Sequence, residues 1–179
     1  MIPSHDGFHI SEPKGATPSP LAGFFPLDYP ASRREREATL ALFLARWRDY
    51  VGSPMLPAFY PAWAAMAGDR QLALDLFEEG YAAYDAGRFH QCLEYRTDHP
   101  DSQVPAGPFM ANIGAMLTTM LLGLPGLQID DGDPSDWAKR SVVLPAGWSA
   151  ITVDRIWIRG EPMRLVAGQG DDRAQILPA

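Results

Sequence analysis

From Ser102 to Ile129 the chain carries no Asp, Glu, Lys or Arg across 28 residues, and a stretch that avoids charge for so long must be covered by protein or by lipid. Pro105, Pro108 and Pro125 confine any helix in it to Phe109–Leu124, sixteen residues, short of the roughly 20 a bilayer requires. Asn112, Thr118 and Thr119 also interrupt its surface. The pattern predicts a helix buried on all sides within a larger helical protein, with Ala111, Gly114, Ala115 and Gly123 admitting neighbouring backbones. No membrane partner is expected.

Around that helix the chain divides into segments of different period. Residues 1–30 hold six scattered prolines before a regular pattern begins, and read as an extended ordered loop. Ser32 and Glu35 form a capping-box pair. Behind them Leu40, Phe43, Leu44, Trp47, Tyr50 and Val51 recur at helical spacing, opposite a charged face. Gly52, Ser53 and Pro54 stop this helix. A second is expected over Met55–Ala67, kinked near Pro57 and Pro61, and Asp69 caps a third that runs toward Gly87. After Gly126 the apolar pattern alternates. Leu127–Asp130, Val142–Leu144, Ala150–Ile158 and Met163–Ala167 read as strands of a small antiparallel β module. The fold class is thus mainly α with a β tail. Three or four helices cannot cover both an all-round apolar helix and a sheet, so an upstream part of the same protein, or a partner chain, is expected to complete the core.

Charge and cysteine content narrow the partners. Fifteen basic against 22 acidic residues give a net charge of −7, with no basic stripe for phosphates, so nucleic acid is not expected. The lone Cys92 excludes an intrachain disulfide and a multi-thiolate metal site. The polar opening, Met1 to Asp6, does not read as a secretory signal, and a cytoplasmic location is favoured.

The densest chemical constellation is Phe89-His90-Gln91-Cys92-Leu93-Glu94-Tyr95-Arg96, in a polar stretch with Asp98, His99 and Asp101. A carboxylate beside aromatic rings is placed to deprotonate water or an alcohol, although Glu94 paired with Arg88 or Arg96 is the simpler expectation. His90, Cys92 and Glu94 alternate as metal ligands would on a strand, but no second cluster supplies a fourth. Cys92 with His90 or His99 offers a nucleophile and base, against the plainer role of a small buried hydrophobe. Trp47, Trp63 and Tyr81 suit a core better than a sugar platform. The acidic turn Asp130, Asp131, Asp133 and Asp136 reads as solvated rather than as a calcium site. No metal and no cofactor are expected.

Several segments, read in order, resemble the C-terminal end of glycoside hydrolase family 65, enzymes that hydrolyse or phosphorolyse α-linked glucosides such as trehalose, maltose and kojibiose. They are Asp6-Gly7-Phe8, Phe25-Pro26-Leu27, Met55–Ala65 with Gly68-Asp69-Arg70, Phe89 with Glu94, Phe109 with Gly114, Gly123 and Gly126-Leu127, and Leu144-Pro145 with Trp148 before Arg159-Gly160. The resemblance implies a partial (α/α)6 toroid over residues 1–126, an incomplete catalytic domain, followed by a β-sandwich-like segment over 127–179. It also implies that Glu94 is the general base of an inverting hydrolase, with Asp6 and His90 as sugar hydrogen-bond partners and a disaccharide or oligosaccharide substrate. The second carboxyl of that mechanism stands roughly 6.5–9.5 Å from the first and would come from helices upstream of Met1, so the chain alone is not expected to be active.

Departures from the family pattern leave alternatives open. The family's glucose-gripping lysine-glutamine pair falls at Ala16 and Thr17. Where its phosphorylases hold phosphate with a histidine and paired serines, this chain has Gly52-Ser53-Pro54-Met55, which favours hydrolysis over an α-glucoside phosphorylase. Cys92 stands where a tryptophan is frequent. A non-catalytic subunit or carbohydrate-binding remnant, or a decayed fragment, is the rival reading.

Overall fold

The structure, a computed structural model, describes residues 1–50, 56–100 and 102–179. The expected stop at Gly52-Ser53-Pro54, the start at Met55, Val51 and Asp101 lie outside them.

The proline-rich opening contains a short helix that periodicity does not reveal, α1 (Ser19–Phe24), which buries Leu21 and Phe24. Prolines at its first positions fix φ where no helical donor is needed, so the residues that suggest a loop instead start a helix. α2 (Arg33–Leu44) opens with the expected capping box: Glu35 N donates to Ser32 Oγ at 3.2 Å, and Ser32 N donates to Glu35 Oε2 at 3.0 Å. It ends at Leu44, earlier than the spacing predicts. One 3-10 turn over Trp47–Asp49 follows, keeping Trp47 and Tyr50 against the rim of the same core.

α3 (Tyr60–Met66), entered through a 3-10 turn at Pro57–Phe59, is the centre of that core, with residues Tyr60 to Ala65 all buried. The Trp63 indole donates to the Phe25 carbonyl at 3.0 Å, satisfying a buried donor and tying α3 to the end of α1. α4 (Arg70–Gly80) starts where Asp69 Oδ1 accepts from Leu72 N at 2.9 Å, and buries Ala73, Leu76 and Gly80. A short hairpin follows, in which β1 (Asp85–Ala86) pairs with β2 (Gln91–Cys92).

The uncharged stretch forms α5 (Met110–Thr118), continued by a π turn over Thr119–Gly123. The wider turn brings Gly123 against α3, where a Cβ would meet that of Ala62 at 2.6 Å. The expectation of burial on all sides needs correction: Met110 is 68% and Leu117 52% exposed, and only one face meets protein. In the C-terminal part, β3 (Ala150–Ile158), β4 (Glu161–Gly168) and β5 (Gln175–Pro178) form an antiparallel sheet in that order, with a bulge between Val153 and Ile156. Val142–Leu144 is not a strand, and Leu127 makes only an isolated bridge to Ala138.

The partial (α/α)6 toroid is therefore corrected. Among the described residues the chain forms five helices and two small antiparallel sheets. Short helices explain the difference: proline starts or closely flanks α1 and α3, of six and seven residues, and α5 gives way to the π turn after nine, too short for the long hairpins that close a ring of paired helices. The sheet and loops instead cover what the helices leave open. A second core gathers Leu124, Leu127, Trp137, Leu144, Ile151, Leu165 and Ile176 with Ala65 of α3. Arg70 of α4 joins the two parts, donating to the carbonyls of Leu144 at 2.9 Å, Pro145 at 3.2 Å and Trp148 at 3.3 Å.

Candidate functional site

Among the described residues no hydrogen bond or ion pair joins Asp6, His90 and Glu94. Asp6 is exposed in the N-terminal turns, and its backbone carbonyl meets the His5 ring at 2.9 Å. His90 closes the β1–β2 hairpin with φ of 48° and faces Asp85 Oδ2 at 3.1 Å. Glu94 leaves β2 with its backbone N–H donating to the Ala106 carbonyl at 2.6 Å. Its half-buried carboxylate has no hydrogen bond or ion pair among the described residues. Neither expected arginine pairs with it: Arg88 lies over the Phe89 ring at 4.7 Å, and Arg96 turns to other acids. The expected alternation on one face does not hold, since His90 lies in the turn and is exposed while Cys92 is buried, and among the described residues no three His, Cys, Asp or Glu gather as metal ligands. The buried Cys92 sulfur accepts from Asn112 Nδ2, and burial pushes its thiol pKa up. That is the setting of a structural thiol rather than a nucleophile.

A cleft forms elsewhere, where three segments distant in sequence converge. The turn after α2 supplies Trp47, Arg48 and Tyr50; the entry to α3 supplies Pro57 and Tyr60; the end of α4 and the loops beyond supply Glu79, Gly80, Tyr84, Arg96 and His99. The space is about 230 Å³, room for about eight waters at the roughly 30 Å³ each occupies in the liquid. Gly80 keeps its wall thin, since a Cβ there would meet the Pro57 carbonyl oxygen at 2.8 Å.

Arg96 holds the far wall. Its Nε and Nη2 donate to the two carboxylate oxygens of Asp98 at 2.9 and 2.8 Å, and Nη1 donates to Glu79 Oε2 at 2.9 Å. Its side chain is 18% exposed, so this fork is a partly desolvated cross-link between α4 and the polar loop. Hydrogen bonding to Arg96 holds the Asp98 carboxyl below its usual range. With its donors engaged by the protein, Arg96 braces the cleft.

The floor is different. Tyr60 is 1% exposed, and its hydroxyl has no hydrogen-bond partner among the described residues. Burial pushes its pKa far up, with the neighbouring Tyr50 and Tyr84 hydroxyls adding to the effect. Burial raises Tyr50 as well, and Tyr84 up to about 12. All three therefore remain neutral O–H groups at physiological pH. At the rim, the Arg48 guanidinium lies over the Trp47 ring at 4.3 Å. Trp63, by contrast, is wholly core, and Tyr81 packs on Phe77 outside the cleft. Of these tyrosines Tyr50 falls in the helical spacing read from the sequence; no short motif joins the three, and only the Arg96-x-Asp98 pair hints at the wall.

Comparison with protein-family models, with curated proteins and with solved structures finds no match to the chain. The resemblance to glycoside hydrolase family 65 thus rests on the quoted motifs alone. Among the described residues no helix is long and apolar enough to cross a membrane.

Proposed function

We propose that this chain is a non-catalytic binding protein for a small hydroxylated ligand of saccharide type, held in the cleft between Trp47, Tyr60 and Arg96. One observation carries the reading: the Tyr60 hydroxyl is buried at the cleft floor with no hydrogen-bond partner among the described residues. Leaving such a group unpaired costs about 1–3 kcal/mol, a cost that a ligand accepting its hydrogen bond removes. Aromatic walls and a braced carboxylate suit a sugar ring, which offers apolar C–H faces and hydroxyl edges together. The volume suits one monosaccharide unit.

Hydrolysis would require Glu94 to act opposite a second carboxylic acid, and Glu94 does not line this cleft. Calorimetric titration with glucose, maltose and trehalose, run beside an assay for released glucose, separates the two functions. The expected result is saturable binding that Tyr60→Phe weakens about tenfold, with no glucose released. Absence of binding removes the cleft reading, and turnover abolished by Glu94→Gln restores the hydrolase.

A further inference from the structure

Resting on that reading of the cleft, we infer that its preferred ligand is a sugar acid, with Arg48 meeting the carboxylate at the rim and Tyr60 donating to a ring or hydroxyl oxygen at the floor. The groups the cleft presents are unbalanced. Tyr50 and Tyr60 bring O–H donors with no protein partner among the described residues, and Arg48 brings a guanidinium. On the acceptor side, Glu79 already has one oxygen bound to Arg96. Among the described charged residues of the cleft, Arg48 is the one without an ion pair or other partner charge. The Arg96 cation meets both Glu79 and Asp98. The acid next to Arg48 in the chain, Asp49, is taken by Arg46 at 2.7 Å. Arg48 makes no ion pair among the described residues, and its guanidinium lies over the Trp47 ring at the rim. An exposed guanidinium at the rim, without an ion pair among the described residues and beside neutral O–H donors, is suited to a planar carboxylate, and the cleft volume admits a single acid-bearing hexose.

Glucose and glucuronate differ at one carbon and serve as the probe pair, titrated calorimetrically into the full chain at low salt. Glucuronate is expected to bind about tenfold more tightly than glucose, and added salt to narrow the difference. In Arg48→Gln the two affinities should become equal, with glucose binding kept as the sign of an intact fold. Equal affinities in the unmodified chain, or a preference that persists in Arg48→Gln, would overturn the sugar-acid inference while leaving the saccharide site standing. If neither sugar binds, the underlying cleft reading fails and the inference with it.

Discussion

Tyr60 shows how far a single residue can be read from the sequence. Its aromatic ring marks it as a core contact, and the ring is in the core, edge-on to Trp63 at 5.3 Å. The hydroxyl acquires meaning only from what surrounds it. Because that group is buried without a hydrogen-bond partner among the described residues, Tyr60→Phe should leave the unliganded protein as stable as before, or up to about 1 kcal/mol more stable. Urea unfolding measures this; a loss above about 1 kcal/mol would mean that the hydroxyl is already satisfied. Arg96 and Asp98 carry a pH dependence of definite sign. The Asp98 carboxyl is depressed in the folded state, so its stabilising effect is complete above the unfolded value of about 3.9 and is lost as pH falls through the lower folded value. Arg96→Met should therefore flatten the fall in stability below about pH 4, which urea midpoints taken at descending pH would reveal. The candidate site escaped sequence reading for a physical reason. His90 and Glu94 stand close along the chain and look like a site, whereas Tyr50, Tyr60 and Arg96 meet only through packing.

At the scale of elements, caps were legible and lengths were not. Ser32 with Glu35 and Asp69 with Leu72 are local chemistry, and each sits where its side chain places it. Helix ends depend on tertiary contacts instead, so α2 stops before its apolar period does, and α1 hides among prolines. The small residues of the uncharged stretch make the point sharply. All four were expected to admit a neighbouring backbone, yet only Ala115 and Gly123 are buried. At Gly123 a Cβ would press on Ala62 at 2.6 Å and Phe25 at 2.9 Å, while at Gly114 nothing lies within 4 Å. Gly123→Ala should accordingly cost about 1–3 kcal/mol. Gly114→Ala, in an open helical position, should gain about 0.5–1 kcal/mol. Calorimetric melting of the two variants checks both signs, and a neutral Gly123→Ala would show that the π turn does not hold α5 against α3.

For the whole molecule, the sequence disclosed a helical part, a β tail and a shortage of cover, but not the way the shortage is met. The sheet and its loops pack back onto α3 and α4, taking Ala65 of α3 into their own core, sharing Leu122 with the helical core and bonding Arg70 through three carbonyls. Cores linked in this way should melt together. Tryptophan fluorescence and far-ultraviolet circular dichroism should give one coincident unfolding transition, and two separated transitions would show that the parts are independent. The same packing leaves a braced aromatic cleft between the turn after α2 and the end of α4. Amide chemical shifts followed by NMR during a glucuronate titration report directly on where a ligand sits. Saturable shifts should centre on Trp47, Gly80, Tyr84 and His99, whereas shifts centred on His90 and Glu94, or none at saturating ligand, would place recognition elsewhere and end the case for this cleft.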